Sequence, residues 1–145
     1  MTTFIAEDAV EEVCLDYFNE LGWSVVYGPD IAPDVPGTER ATYRDVLLVE
    51  RLSAAVDRLN PGISPTGLAD VVATFRRPES LDLKSENWRT YAMVTRGVPY
   101  ERRQGDGTTR SDLARLIDFD EPTNNDFVAV NPDYSRGHLN SGLKP

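Results

Sequence analysis

The segment of residues 118–131 most constrains what this chain can fold into. Two apolar stretches flank a loop rich in turn-forming residues, among them Pro122, Asn124 and Asn125. The second stretch, residues 127–130, is short and bounded by turn residues, as buried strands are. It is typical of a central strand, and the mostly helical sequence upstream needs a sheet to pack against. We therefore expect helices packed on a sheet that contains this strand.

The first helical pattern covers residues 7–21 and ends at Gly22. Its apolar residues recur at the steps that place them on one side of a helix. This predicted apolar stripe consists of Val10, Val13, Cys14, Tyr17, Phe18 and Leu21. Because Cys14 belongs to the stripe, we expect its thiol to be buried and unreactive. Residues 23–27 then have the composition of a short strand.

A proline-containing loop at residues 29–41 precedes the second helical pattern, and we expect the loop to be exposed. Thr42, with Asp45 three residues later, fits the N-terminal cap of a helix. The pattern stops at Asn60, where a proline and a glycine follow. The sequence thus predicts a second helix from Thr42 to Asn60.

Two more helical patterns follow. Ser64 and Pro65 are typical of the cap and the first position of a third helix. A fourth helix is predicted over residues 86–96, with Trp88 and Tyr91 on the side that faces the core. The helical part of the chain therefore contains four helices before Gly97.

The remaining sequence changes to strand patterns. Residues 98–103 alternate with the two-residue period of a strand, and the Asp-Gly pair within residues 104–107 indicates a hairpin turn. Residues 113–119 are predicted as the partner strand, and residues 127–130 as the next one. The expected fold is α+β, with N-terminal helices packed on a mainly antiparallel sheet, a meander of at least three strands. We expect one domain over residues 1–131.

The end of the sequence differs from the rest. Four proline and glycine residues make residues 132–145 a poor strand, so we expect a divergent or disordered tail. A sheet that ended at the preceding strand would have an unprotected edge. We therefore expect that the chain is truncated, or that residues 132–145 are a tail that does not belong to the native fold.

The net charge of −9 disfavours general attraction to phosphates. A nucleic-acid-binding protein usually has a basic face, and none is evident. Any DNA contact would need a local basic patch, a metal bridge or another basic domain. Two groups could form such a patch: Arg40, Arg44 and Arg51, or Arg102, Arg103 and Arg110.

A single cysteine excludes an internal disulfide and fits a reducing cytoplasm. The first eight residues lack the basic and apolar regions of a signal peptide. No apolar stretch approaches the roughly 18 residues that a membrane span requires. The sequence has one cysteine and one histidine, His138, which are too few for the cysteine and histidine ligands of a typical zinc site. We expect a cytoplasmic protein that does not contact a membrane.

Glu7 and Glu11 are the candidate metal-binding acids, because they lie four residues apart on one side of the first helix. A divalent cation would relieve the repulsion between them, since hard cations take carboxylate oxygens. The alternative is that acids in the first turns stabilise the helix dipole. Pro132-Asp133 and Gly142-Leu143-Lys144 echo a nuclease signature of two acids and a lysine, but a glycine replaces the second acid. We interpret that echo as chance.

The sequence resembles the N-terminal region of the restriction (R) subunit of type I restriction-modification enzymes. Each mark is common, but their order over residues 7–131 is specific. The marks are Glu7-Asp8-Ala9-Val10-Glu11, Leu21-Gly22-Trp23, Tyr27-Gly28-Pro29-Asp30-Ile31-Ala32-Pro33, Glu39-Arg40-Ala41-Thr42-Tyr43, Asp45-Val46-Leu47-Leu48, Arg51-Leu52, Arg58-Leu59-Asn60-Pro61, Asn87, Gly97-Val98, Leu116-Ile117-Asp118-Phe119-Asp120, Pro122, Asn124-Asn125-Asp126-Phe127 and Val130-Asn131.

The resemblance implies part of a nuclease domain of the Pro-Asp…(Asp/Glu)-x-Lys fold, at the front of a long chain that carries an ATP-driven DNA translocase. It also implies methyltransferase and specificity subunits as partners, double-stranded DNA as substrate, and Mg²⁺ and ATP as cofactors. The assembled enzyme cleaves unmodified foreign DNA. In similar nucleases a first-helix glutamate approaches the metal; Glu11 matches that position, and Glu7 is nearby.

The sequence departs from the family after Asn131, where Arg-Pro-Asp and Glu-x-Lys would be expected. We therefore expect the chain alone to bind no cofactor and not to cut DNA. A second hypothesis is a non-catalytic module that docks DNA or other subunits, with Arg40 and Arg44 beside the 29–41 loop as DNA contacts. A third is a decayed reading frame.

Overall fold

The structure, a computed structural model, describes residues 7–131, with side chains from Ala9 onward. His138 and the motif-like residues of the 132–145 tail lie outside the described residues. The chain divides into two compact units. The first unit contains residues up to Asp45 and those from Asp126, and the second unit is Val46–Asn125.

The first unit is a helix on a pair of parallel strands. It contains α1 (Glu7–Glu20), β1 (Ser24–Tyr27), a short 3₁₀ helix (Gly28–Ile31) and β4 (Val128–Asn131). β1 pairs in parallel with β4, with Ser24 opposite Val128 and Tyr27 opposite Asn131. Both predicted strands are confirmed. Their pairing differs from the expected meander, because the neighbour of β4 is a strand about a hundred residues earlier in the chain.

The face that α1 turns to its unit is not the predicted apolar stripe. Glu11, Leu15 and Phe18 are the half-buried side chains, and they follow one another at steps of four and three residues. The predicted stripe is largely exposed, at 50% for Val10 and 63% for Tyr17. Cys14 is also exposed, so the prediction of a buried thiol is wrong. Phe18 is the member of the predicted stripe that docks, against Trp23, and the side of the helix covered with it carries Glu11 and Leu15.

The second unit contains three helices and a hairpin. The helices are α2 (Val49–Leu59), α3 (Pro65–Arg76) and α4 (Leu83–Arg96), and the hairpin consists of β2 (Val98–Arg103) and β3 (Thr109–Ala114). β2 has the predicted bounds, and Val98 lies opposite Ala114. The partner strand predicted at residues 113–119 is wrong: Gln104 N–H donates to Thr108 O at 2.8 Å, and this tight turn starts β3 at Thr109.

Local capping chemistry explains where the helices begin. Ser64 Oγ accepts from Gly67 N–H at 3.0 Å, which confirms the predicted cap of α3. Thr42 is not a helix cap: Thr42 N–H donates to Asp45 Oδ2 at 2.7 Å within a separate turn, and α2 begins only at Val49. The box-like hydrogen bond exists, but no helix follows it directly.

The core of the second unit is formed by side chains from all its helices and both hairpin strands. Its buried members are Val56, Val71, Met93, Val98, Tyr100, Ala114 and Leu116. Gly67 permits close packing, since a Cβ at this position would lie 3.1 Å from the Tyr100 ring. Trp88 and Tyr91, predicted to face the core, are instead 62% and 59% exposed.

The described residues therefore form a mixed α and β structure, as expected, but with two separate two-stranded sheets. One is parallel and the other antiparallel, so the predicted three-stranded antiparallel meander is wrong for this part of the chain. Within residues 7–131, no helix is long and apolar enough to cross a membrane.

Candidate functional site

The candidate site of the first unit is supported by a stack of aromatic rings. Trp23 lies between Phe18 of α1 and Phe127 before β4, with both ring centroids 4.8 Å away. Backbone bonds reinforce the stack, since Trp23 N–H donates to Phe18 O at 2.9 Å and Ser24 N–H to Phe127 O at 2.9 Å. Helix, turn and both strands are thereby fixed to one another.

This arrangement determines where Glu11 lies. α1 and β1 are joined by a short turn at Gly22 (φ 83°), and α1 packs on both strands of the parallel pair. β4 ends at Asn131, which is buried at 2% exposure. Glu11 is half-buried on the covered side of α1.

Glu7 is the first residue of α1, and its side chain lies outside the described residues. Between residues 7 and 131, no group of three or more acidic, histidine or cysteine side chains could hold a metal ion. The described residues therefore do not fit a complete Mg²⁺ site, which needs several oxygen ligands. Glu11 could supply one carboxylate to such a site.

The 29–41 loop is held by its own side chains. The Arg40 guanidinium donates to Asp45 O from Nη2 at 2.7 Å and from Nε at 3.0 Å. Tyr43 Oη donates to Asp34 Oδ1 at 2.7 Å, and this hydrogen bond lowers the pKa of the Asp34 carboxyl. Arg44 is exposed. Of the two predicted DNA contacts, Arg40 thus donates hydrogen bonds to the carbonyl of Asp45, whereas the side chain of Arg44 is exposed to solvent.

Two asparagines among the residues that carry the resemblance are structural. Asn60 binds the backbone of Arg115 in both directions, accepting from its N–H at 2.7 Å and donating to its carbonyl at 2.9 Å. Asn125 does the same to Asp118, at 2.8 Å in each direction. A side-chain amide can make the pair of backbone hydrogen bonds that a neighbouring strand would otherwise make, because it has a carbonyl acceptor and an N–H₂ donor group. These family marks therefore reflect folding rather than chemistry.

Asp118 organises the loop before β4. Its carboxylate accepts from the Asn124 side-chain amide at 3.0 Å and from Glu121 N–H at 3.1 Å. These hydrogen bonds, led by that of Asn124, lower the pKa of Asp118. The loop of residues 118–125 is thus stabilised by an ionised acid rather than by apolar contacts.

One polar cluster was not anticipated from the sequence. Arg89 forms an ion pair with Glu86 and donates from Nη2 to Arg77 O at 2.9 Å, which fastens the end of α3 to α4. The Arg89 hydrogen bond lowers the pKa of Glu86. The available signal was the three-residue spacing of the pair on a helix, which is too common to single out.

The ordered family marks, on a chain whose first helix packs on a parallel strand pair, point to a class of protein, the endonuclease subunits of type I restriction enzymes. The sequence model of the family described as "Type I restriction enzyme R protein N terminus" matches residues 4–133. The chain belongs to this family, and the resemblance recognised in the sequence is confirmed.

Two curated relatives agree. The chain is 33% identical over 125 residues to the Type I restriction enzyme HindI endonuclease subunit of Haemophilus influenzae, which covers 86% of this chain and 12% of that protein. It is 27% identical over 122 residues to the putative type I restriction enzyme MjaIXP endonuclease subunit of Methanocaldococcus jannaschii. That match covers 84% of this chain and 11% of that protein. The chain thus spans about an eighth of these relatives. No solved structure matches it.

Proposed function

We propose that this chain is the front part of the nuclease domain of a type I restriction enzyme R subunit. In the assembled enzyme it would contribute to cleavage of unmodified foreign DNA in the cytoplasm, with methyltransferase and specificity subunits as partners and ATP driving translocation. The observation that carries the proposal is Glu11, half-buried on the side of α1 that covers a parallel strand pair. The family match over residues 4–133 supports the same assignment.

Glu11 is the proposed metal-binding residue, and Glu7 its neighbour one turn earlier. Mg²⁺, when bound, would supply Lewis acidity at a phosphodiester. Glu11 would present a carboxylate from the covered side of α1, a helix that the aromatic stack fixes to the strands. The remaining ligands would come from residues outside the described range or from further sequence of the full-length subunit.

Arg44, and Arg40 less directly, are proposed DNA contacts of the first unit. A guanidinium binds phosphate oxygens as a planar pair of donors, which favours arginine at such positions. Arg44 is exposed, whereas Arg40 shapes the loop that presents it through its bonds to Asp45 O. Replacing Arg44 should weaken DNA binding, and replacing Arg40 should also disturb the loop.

The 145-residue chain by itself should not cleave DNA. Supporting this, residues 132–145 contain neither the Arg-Pro-Asp nor the Glu-x-Lys run that the family resemblance leads one to expect after Asn131. The test is a plasmid-nicking assay with Mg²⁺. Robust nicking that is lost in Glu11→Ala would contradict this part of the proposal.

The subunit assignment is tested in a chimera, with residues 1–131 replacing the matching region of the Haemophilus influenzae relative. We expect ATP-dependent DNA cleavage by the chimera and its loss in Glu11→Ala. Glu20→Ala is the matched control, because Glu20 is an exposed acid at the other end of α1. ATP hydrolysis retained in all three proteins would show that each one assembles. Equal cleavage by the Glu11→Ala and Glu20→Ala chimeras would show that Glu11 is not a metal-binding residue of the nuclease site.

A non-catalytic docking module is the second candidate, and the exposed stripe of α1 favours it. Val13 and Leu21 are 52% and 73% exposed, and exposed apolar faces mark contact surfaces. A module of this kind would bind DNA or a partner subunit without cutting. Cleavage by the chimera that depends on Glu11 would exclude it, whereas assembly without any Glu11 dependence would favour it.

A further inference from the structure

The β2–β3 hairpin brings like charges together. Arg102 and Arg110 are directly opposite each other in the antiparallel register, and so they share one face of the hairpin. Directly opposed side chains have Cβ atoms about 4.5–5.5 Å apart, and a like-charged pair at this distance is destabilising. An anion bound between the two guanidinium groups would offset this repulsion.

On the face that Arg102 and Arg110 share, the counter-charge within the strands of the hairpin comes from Asp112. Arg102 Nη1 lies 3.6 Å from Asp112 Oδ2, with both side chains nearly half exposed, so this ion pair is weak. Within residues 7–131, neither Arg103 nor Arg110 forms a salt bridge or a side-chain hydrogen bond. Asp106, the acid of the turn, is engaged by Thr108, whose N–H and hydroxyl donate to it at 2.9 and 2.6 Å.

These side chains surround a cavity of about 490 Å³ at the surface of the hairpin. It is lined by Arg102, Arg103, Gln104, Gly105, Arg110 and Asp112. Three guanidinium groups and an amide thus face a space with one carboxylate. Arg103 also lines a second cavity, of about 360 Å³, together with the acids Asp70 and Glu101. The second cavity has two carboxylates and one guanidinium, so the cationic face of the hairpin is the one that carries Arg102 and Arg110.

We propose that the end of the β2–β3 hairpin binds the phosphodiester backbone of duplex DNA, with Arg103 and Arg110 as the phosphate contacts. This deepens the proposed function and rests on it for the identity of the polyanion. On a chain of net charge −9, productive contact with DNA needs a defined patch whose positive side chains are not already neutralised. The hairpin has such side chains and an unfavourable charge pair that a phosphate would relieve.

The experiment measures binding of a short fluorescent duplex to the 145-residue chain as a function of salt concentration. The test variant is Arg103→Gln with Arg110→Gln. We expect its affinity at low salt to fall severalfold and the slope of log K against log salt to become shallower by roughly two, since each lost phosphate contact changes it by about one. Arg102 is left intact, because it pairs with Asp112.

The matched control is Arg76→Gln with Arg96→Gln. These exposed arginines lie in the last turns of α3 and α4, in the same unit, and their loss changes the net charge equally. We expect the control to retain the salt slope of the unmodified chain. If both double variants lose the same slope, only overall charge matters and the hairpin site is refuted.

Thermal unfolding separates a binding role from a structural one. Arg110→Gln removes one member of the repulsive pair, so its Tm should stay unchanged or rise while DNA affinity falls. A lower Tm together with lower affinity would assign Arg110 a structural role and overturn the proposal. Inorganic phosphate that binds at the hairpin as tightly as the duplex would replace it with a small-anion site.

Failure of this proposal can be told apart from failure of the proposed function. If the unmodified chain does not bind duplex DNA, or binds it independently of the hairpin, the hairpin proposal fails, and Glu11-dependent cleavage by the chimera still stands. If the chimera neither cleaves nor depends on Glu11 while the hairpin binds DNA, the proposed nuclease function fails alone.

Discussion

Gly97 joins α4 to β2 and is the residue at which backbone conformation is most restricted. Its φ of 104° lies in a region that side-chain-bearing residues rarely adopt. A Cβ at this position would lie 2.9 Å from Ala114 O and 3.2 Å from Leu113 Cβ. The neighbouring strand thus leaves no room for a side chain, and only glycine allows the hairpin to start directly after the helix.

Gly97→Ala should therefore lower the free energy of unfolding by about 1–3 kcal/mol for the backbone conformation, with the steric clash adding to it. Gly105→Ala is the control, since nothing lies within 4 Å of a Cβ at that position. Urea denaturation of the two variants measures the difference. Equal stabilities would mean that β3 can move away from the helix end without loss.

The sequence predicts residues with strong local signals and misses those placed by distant contacts. Gly97 and Ser64 were identified correctly, because a helix end and a helix cap depend only on the nearest few residues. Cys14 was wrongly placed because its burial depends on which side of α1 is covered. The role of Glu11 stays a prediction that rests on the family resemblance, and only the fold shows that this residue lies on the covered side of α1.

At the level of elements, the α1–β1 turn is the structural centre of the first unit. Trp23 contacts the helix through Phe18 and the far strand through Phe127. Aromatic pairs at this separation contribute about 0.5–1.5 kcal/mol each beyond the area they bury. The Trp23 side chain therefore links α1, the turn before β1 and the start of β4, although β4 lies about a hundred residues later in the chain.

Trp23→Ala should destabilise the first unit by about 3 kcal/mol, the lower end of the range for large aromatic truncations, because Trp23 is only half-buried. Trp88→Ala is the control, since Trp88 is 62% exposed on α4. Amide hydrogen exchange at β1 and β4 reports the effect directly. Protection of both strands that survives Trp23→Ala would show that the stack is dispensable.

Elements with local signals were predicted well, and the pairing between distant elements was not. The bounds of β2 and the turn after it follow from alternation and an Asp-Gly pair. No local pattern states that β1 pairs with β4, because that partnership depends on the arrangement of the chain between them. A cap-like pair such as Thr42 and Asp45 was misassigned for the same reason, since a turn and a helix start use the same hydrogen bond.

On the scale of the whole molecule, the acidic charge and its distribution govern the response to pH. Hydrogen bonds to the ionised form lower the pKa of several carboxyls. The affected acids are Asp34, Asp82, Glu86, Asp106 and Asp118. A group whose folded-state pKa is lowered stabilises the protein above its unfolded pKa, near 4, and loses this contribution as the pH falls through the folded value.

We therefore expect the free energy of unfolding to fall as the pH decreases below about 4. Asp118→Asn should flatten this acid limb, because the hydrogen bond from Asn124 no longer favours an ionised partner. Asp57→Asn, at an exposed acid of α2, is the control and should leave the limb as it is. Tm values over a pH series measure both. An identical acid limb in the two variants would contradict the role given to Asp118.

The parallel pairing of β1 with β4 also has a consequence for synthesis of the protein. On the ribosome, the strand at Ser24–Tyr27 emerges long before its partner at Val128–Asn131 exists. The second unit, whose hairpin and helices are close in sequence, can form in that interval, since local contacts form faster than distant ones. Both edges of the nascent N-terminal strand therefore stay unpaired until β4 has been synthesised. A chaperone or an aggregating chain would bind the strand during this interval.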